Sequence, residues 1–210
     1  TAVEGLILDK HGIFTFGESA EEAYGRMIDL VSLAERRLKT GRRNPVFATP
    51  KAKPRLAKVA DIAPRLRGML AQGEDENQKR FVMTFRTSAA IRRFVSDPAA
   101  KRYSQQGTVT PDHAIRIKPK PVILPTPARD DLDGFFRGAA RAIKQYEKAY
   151  RGYFDRQNDP ADPRTPLDPA PRVLLVPGLG FFAAGGNAGA ASVAADVYEN
   201  NIEVITDAEA

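Results

Sequence analysis

Two short stretches of the sequence carry residue types that could take part in chemistry. The first is His11-Gly12, which lies between the apolar runs "LIL" at 6–8 and "IFTF" at 13–16. A histidine at a turn between two strands is a candidate metal ligand or base, because imidazole titrates near neutral pH. The alternative is an ordinary turn histidine with hydrogen-bonded ring nitrogens. The second stretch is the glycine-rich run "VPGLGFFAAGGNAGAA" at 176–191.

The glycine-rich run has the outline of a nucleotide-binding loop. An apolar run precedes the glycines and a helix pattern follows them, which would aim backbone N–H groups and a helix N-terminus at a phosphate. The dinucleotide fingerprint needs its third glycine three residues after the second, whereas Gly185 follows Gly180 by five. Only 24 residues follow Gly186, which is short for a second strand and a ribose-binding acid. NAD binding by the 178–186 loop, through Gly178, Gly180 and Gly185, is therefore kept as an alternative to a strand–turn–strand corner.

Apolar spacing predicts the elements that hold these residues. Residues 3–17 have the pattern of two short strands joined at His11, and Ser19, with Glu22 three residues later, predicts a capped helix over about 20–39. Helices are also predicted around Pro64, after Ser88, over 129–157 and from about residue 187, with a strand within 79–86.

The segment "GTVTPDHAIRIKPKPVILPTP" at 107–127 is predicted to be β-like, because Ala114, Ile115 and Ile117 cluster ahead of a proline-punctuated run. Prolines follow at 119, 121, 125 and 127, so we do not expect a regular central strand after Lys118. We interpret His113 as a structural turn residue.

The two stretches that opened the argument are similar to each other. When the chain is shifted by 168 residues, "LILDKHGIFTFGESAEEA" (6–23) lies over "LLVPGLGFFAAGGNAGAA" (174–191), with six identities in eighteen positions. Ser19 lies over Asn187, and both are favoured N-cap residues. The shared order is strand, turn, strand, glycine, cap and helix, which predicts a structural repeat. Within the repeat His11 lies over Leu179, so the imidazole is lost in the second copy.

Composition limits the classes of function. The chain has 210 residues, no cysteine and no apolar run long enough to span a membrane, so we expect no thiolate chemistry, no membrane partner and a cytoplasmic location. The net charge is +6, and residues 40–55 concentrate lysines, arginines and prolines. A solvated basic linker is the favoured interpretation of that segment and a nucleic-acid surface the alternative. No aromatic interleaving supports the alternative, and we expect no nucleic-acid partner.

The stretch "LILDKHGIFTFGESAEEAY" resembles the class II aldolase/adducin family, whose members carry an apolar strand, His-Gly, a second strand, a glycine and a helix opening on a small residue and Glu-Ala. The resemblance implies that His11 is the last of three zinc-binding histidines. The other two come as His-x-His about sixty residues upstream, so they would lie before Thr1. His11 would then be a single remaining ligand, and a zinc site needs at least three.

The same spacing applied to the second copy reaches "TPDHAIRIKP". Arg116 and Lys118 would stand where the two histidines of a strand should be, and Leu179 where the third should be. Arginine and leucine cannot serve as ligands, and lysine does so only at a large pKa cost. The resemblance therefore implies that the second copy binds no zinc. Two further interpretations of Arg116 and Lys118 are an anion-binding pair where zinc once lay, or the solvated or ion-paired face of a strand.

The blocks "FRTSAAIRRFVSDP", "YSQQGTVTPDHAIRIKP" and "VLLVPGLGFFAAGG" are similar to the middle of bifunctional rhamnulose-phosphate aldolase/short-chain dehydrogenase proteins. That resemblance implies a fragment of a parent enzyme that cleaves a sugar phosphate with zinc and carries a downstream NAD(P) dehydrogenase after residue 210. It implies a homo-oligomer, no cofactor in this chain, and no turnover by the chain alone.

Together these observations predict an α/β chain with a three-layer αβα aldolase-like fold and a mostly antiparallel central sheet. Residues 1–45 would be the end of an upstream aldolase-like copy, 46–78 a basic linker and helix, and 79–210 a second, degenerate copy. A non-catalytic scaffold or oligomerisation region is the function we expect for the second copy.

Overall fold

The N-terminal part of the computed structural model is a hairpin followed by a helix. The structure describes residues 3–40, 47, 55–73 and 78–209. Strands β1 (Gly5–Leu8) and β2 (Gly12–Thr15) pair antiparallel in a two-stranded sheet, and helix α1 (Ala20–Thr40) follows. We call these three elements the first unit.

The second unit begins at residue 55 and contains the remaining elements. Its helices and strands are α2 (Val59–Met69), β3 (Val82–Arg86), α3 (Ala89–Ser96), α4 (Ala100–Tyr103), α5 (Pro111–Ile117), β4 (Val122–Ile123), α6 (Leu132–Gln157), β5 (Val173–Val176), β6 (Gly180–Gly185) and α7 (Ala188–Glu209). Side-chain caps begin α3 and α6: Ser88 Oγ accepts from Ile91 N at 3.1 Å, and Asp131 Oδ1 accepts from Gly134 N at 2.8 Å.

The strands of the second unit form one mixed sheet in the order β3-β6-β5-β4. Strand β6 pairs antiparallel with both β3 and β5, with Phe182 opposite Phe85 and Leu174. Strand β4 pairs parallel with β5, Val122 lying opposite Leu174. Two of these three pairings are antiparallel, which agrees with the predicted mostly antiparallel sheet.

Helices cover both faces of this sheet. Strand β5 is buried on both sides, because Leu174 and Val176 face a core shared with α2 and α6, whereas Val173 and Leu175 face a core shared with α3 and α7. A strand buried on both faces carries a continuous apolar run rather than an alternating one. The predicted three-layer αβα architecture is confirmed. Its first layer includes Ile62, Leu66, Phe135 and Phe136; its third includes Ile91, Phe94, Ala195 and Tyr198.

The repeat seen in the sequence is also a structural repeat. Shifting β1 by 168 residues gives the bounds of β5, the first residue of β2 falls on that of β6, and the first residue of α1 falls on that of α7. The register repeats as well, since Leu6 pairs with Phe14 as Leu174 pairs with Phe182. The strand–turn–strand–helix order predicted for both copies is confirmed.

The β-like prediction for 107–127 is wrong over Pro111–Ile117, which is helix α5, whereas Val122–Ile123 of the same segment is strand β4. Thr110 is its N-cap, its hydroxyl accepting from His113 N at 3.4 Å, and Pro111 occupies the first turn. Proline tolerates that position because its missing N–H would have no partner there. Helical spacing buries Ile117 and leaves Ile115 72% exposed. His113 is therefore a helix residue rather than a turn residue.

Two further predictions concern the flanks of these elements. The basic segment at 40–55 falls largely outside the described residues, so its interpretation as a linker stays a prediction. In the part of the chain that the structure describes, no helix is both long and apolar enough to cross a membrane.

Candidate functional site

His11 lies in the turn of the first hairpin. Its backbone N–H donates to Leu8 O at 3.0 Å, and the flanking residues have positive φ, 56° at Lys10 and 121° at Gly12. The imidazole is exposed, and its Nδ1 lies 3.4 Å from Asp9 O. The turn therefore presents an accessible ring to solvent.

The turn of the second hairpin has the same backbone and a different side chain. Leu179 N donates to Val176 O at 3.1 Å, and Gly178 and Gly180 carry positive φ of 86° and 150°. The Leu179 side chain packs against the core shared with α2 and α6, and its carbonyl accepts from Thr87 Oγ1 at 2.7 Å. An apolar side chain turned to the core replaces an exposed imidazole.

A zinc site is not assembled by the described residues. Zinc in proteins takes at least three protein ligands, usually histidine, cysteine or carboxylate. Within the ranges 3–40, 55–73 and 78–209 no three such side chains come together as a candidate metal group. A zinc ion at His11 would therefore need ligands from outside the described residues.

The space over the glycines of the 178–186 loop is filled by the chain itself. A methyl group at Gly178 would lie 2.7 Å from Leu56 Cδ1, and one at Gly180 would lie 2.2 Å from Arg86 O. At Gly185 the nearest atom would be Ala191 N, at 2.3 Å, because α7 packs directly on β6. The cap of α7 is also occupied, since Asn187 Oδ1 accepts from Ala190 N at 2.8 Å. These glycines serve turns and close packing, and their geometry does not favour a dinucleotide.

Arg116 and Lys118 do not form the pair that the sequence suggested. Because the predicted strand is helix α5, the two residues do not share a strand face: Arg116 is exposed in the last turn, and Lys118 is the buried C-cap. The comparison with a His-x-His strand fails for the same reason. Of the three positions compared with zinc ligands, only Leu179 remains equivalent to a ligand histidine, His11. The structure does not support an anion pocket between Arg116 and Lys118.

Lys118 belongs instead to a cluster around Asp168, which sequence reasoning missed. Asp168 accepts two hydrogen bonds from Arg172, at 2.9 and 2.8 Å, and one from Lys79 Nζ at 2.8 Å. Lys118 Nζ donates to the Asp168 carbonyl, lies 3.9 Å from its carboxylate, and lies 3.9 Å from the centre of the Tyr150 ring. Asp168 and Arg172 lie in the loop before β5, where no motif marks them.

The cluster lowers the pKa values of both Lys118 and Asp168, for different reasons. Burial, aided by the charge of Arg172, lowers the pKa of Lys118 to about 7, although the Asp168 carboxylate opposes this. Burial on its own would raise the pKa of Asp168, but hydrogen bonds from Arg172 and Lys79 hold it well below its usual range. The Lys118 residue is only 2% exposed, so its amine can anchor the loop but cannot reach a substrate.

Comparison with known families gives the class of protein. Residues 57–210 match the model described as aldolase class II, second domain, and residues 1–38 match the class II aldolase and adducin N-terminal domain. The first match alone covers more than half of the chain. The chain belongs to the class II aldolase family.

A curated relative extends this comparison. The chain is 26% identical over 214 residues to the "Uncharacterized oxidoreductase YuxG" of Bacillus subtilis (strain 168). The match covers 99% of this chain and 30% of the relative, so the chain spans less than a third of the relative's length. No solved structure matches the chain.

Proposed function

We propose that this chain is part of a zinc-dependent class II aldolase acting on sugar phosphates, and that its second unit is a scaffold without a metal centre. The observation that carries the proposal is the pair of equivalent turns. The backbone hydrogen bonds of the two turns correspond, yet one carries His11 and the other carries Leu179. A side chain without a lone pair cannot take part in a metal centre.

The packing of the second unit supports a structural role. Its sheet is buried on both faces, and its glycine-rich loop is closed by Leu56, Arg86 and α7. The first unit supports a different role, since the His11 ring is exposed at the tip of a hairpin. We propose His11 as one ligand of zinc, the others being supplied from outside the described residues.

The remaining parts of the proposal rest on resemblance and on the relative. Rhamnulose 1-phosphate is the proposed substrate of the parent enzyme, and a homo-oligomer in the cytoplasm is the proposed state. The word oxidoreductase in the name of the relative supports an NAD(P) dehydrogenase elsewhere in the full-length protein.

Zinc binding by histidine variants tests the proposal. The whole chain is purified as wild type, as His11→Ala and as His113→Ala, and bound zinc is measured by elemental analysis and titration calorimetry. We expect no stoichiometric zinc in His11→Ala, because the second unit holds no metal centre. The wild type and His113→Ala, which removes the other histidine of the chain, should bind no stoichiometric zinc either, because His11 alone supplies too few ligands.

One result would overturn the scaffold assignment: one zinc per chain retained in His11→Ala. We also expect no cleavage of rhamnulose 1-phosphate by the chain alone, because one histidine is too few ligands for zinc. Zinc-dependent cleavage by the purified chain would contradict this.

A further inference from the structure

A cavity of about 570 Å³ lies beside the edge of the central sheet. Its walls are strand β4, the proline-containing turn before β4, helix α6 and the end of α4. This volume falls in the range of small-molecule sites. Its lining residues belong neither to the His11 turn nor to the glycine-rich loop, although Lys10 Nζ lies 3.4 Å from the carbonyl oxygen of Gln106, next to the lining.

The charge of the cavity points to an anion. Lys101, Lys120 and Arg156 line it, and no carboxylate of a described residue does. Within the described part of the chain, none of these three cations forms an ion pair with an aspartate or glutamate. Other exposed lysines and arginines do form such pairs. Three unpaired cations converging from three elements favour a phosphate, which accepts charge-assisted hydrogen bonds.

The aromatic wall of the cavity points to a flat ring. Tyr146, Tyr150 and Tyr153 follow one another at helical spacing on α6 and all line the cavity. The rings of Tyr146 and Tyr150 are parallel within 4°, with centres 6.3 Å apart. Tyrosine rings offer flat apolar faces on which a planar ring can stack.

An added β-strand is the competing occupant of this edge, because the outer side of β4 has no strand partner in the described part of the chain. Strand β4 is only two residues long, and prolines 119, 121 and 125 flank it. Prolines and short length are features that block strand addition at an edge. The site therefore fits a small molecule better than a peptide strand.

We propose that this cavity binds a phosphate ester of a flat ring system, of the mononucleotide class. The phosphate contacts Lys120, Arg156 and Lys101 at the mouth, and the ring lies against the tyrosines of α6.

Titration calorimetry on the whole chain, at low ionic strength, tests the proposal with adenosine monophosphate as the probe. Adenosine supplies the ring without the phosphate, and inorganic phosphate supplies the anion without the ring. We expect the nucleotide to bind more tightly than either part. Arg156→Gln and Lys120→Gln should each weaken nucleotide binding by about tenfold, since a charged hydrogen bond is lost.

Two further variants sharpen the test. Lys148→Gln lies on the same helix outside the cavity and should leave the affinity unchanged. Tyr153 is 46% exposed, so Tyr153→Ala should fold, weaken nucleotide binding and leave phosphate binding as it was. The proposal is overturned if the nucleotide does not bind, if phosphate alone binds as tightly, or if Lys148→Gln weakens binding as much as Arg156→Gln. Zinc binding at His11 affects none of these outcomes.

Discussion

At the scale of single residues, the residue type alone does not tell whether a side chain is exposed or buried. His11 and Lys118 both carry side-chain nitrogen atoms, but His11 is exposed at a turn and Lys118 is buried between Asp168 and Tyr150. The sequence identified both positions and could not rank them. The burial of Lys118 involves Asp168, which is 50 positions away along the chain.

The buried lysine gives the protein a pH-dependent stability. The pKa of Lys118 in the folded chain is about 7, below its ordinary value of 10.5, because it is buried and near Arg172. Between these two values the unfolded chain binds more protons, so the free energy of unfolding rises as pH rises from about 7 towards 10.5. We expect a contribution of about 1 kcal/mol per pH unit in the middle of that window.

Urea unfolding of wild type and Lys118→Met at several pH values measures this contribution. The variant should lose the rise in stability, because its side chain does not titrate. Lys120→Met, which removes an exposed lysine two residues away, is the control and should keep the rise. Equal slopes in wild type and Lys118→Met would contradict the assignment.

At the scale of elements, apolar periodicity predicts a helix or a strand correctly when the periodic segment is long. The apolar stripe of α6 and the two hairpins were predicted from spacing, and the structure confirms them. The short segment at 111–117 was assigned to the wrong class, because a run of seven residues cannot separate helical from strand periodicity. Its N-cap Thr110 and Pro111 were the features that mark a helix start.

Close packing of α7 on β6 predicts that a side chain at Gly185 destabilises the second unit. Gly185→Ala would place a methyl group 2.3 Å from the backbone nitrogen of Ala191, which cannot move without moving the helix. We expect a loss of about 1–3 kcal/mol in the free energy of unfolding.

The neighbouring glycine is the matched control. A methyl group at Gly186 would meet no atom within 4 Å. Gly186→Ala should therefore cost much less in thermal unfolding. If Gly186→Ala is as destabilising as Gly185→Ala, the close helix–strand contact is not the cause.

At the scale of the whole molecule, the two copies of the repeat differ in how far their apolar side chains are buried. Leu175 is fully buried in the second unit, whereas its counterpart Ile7 is 83% exposed, and no side chain of α1 is fully buried. Leu6, Phe14 and Leu33 are also about half exposed. An exposed apolar surface of this kind recruits a partner.

We expect the chain to self-associate through the first unit. Ile7→Lys should shift the weight-average mass measured by sedimentation towards the monomer, because a charge replaces an apolar contact. Ile115→Lys is the control, since Ile115 is 72% exposed on the second unit without a similar apolar neighbourhood in its helix. A monomeric wild type, or equal effects of both changes, would argue against this interface.

The sequence by itself determined the repeat, the long helices, the caps and the family resemblance, because each shows as a local pattern of residue types or as a likeness between stretches of sequence. Only the tertiary structure decided that the glycine-rich loop is filled by Leu56, that Lys118 is held by Asp168, and that tyrosines of α6 share a cavity with Lys101 and Lys120. Those contacts join residues dozens of positions apart, and local periodicity carries no information about such distances.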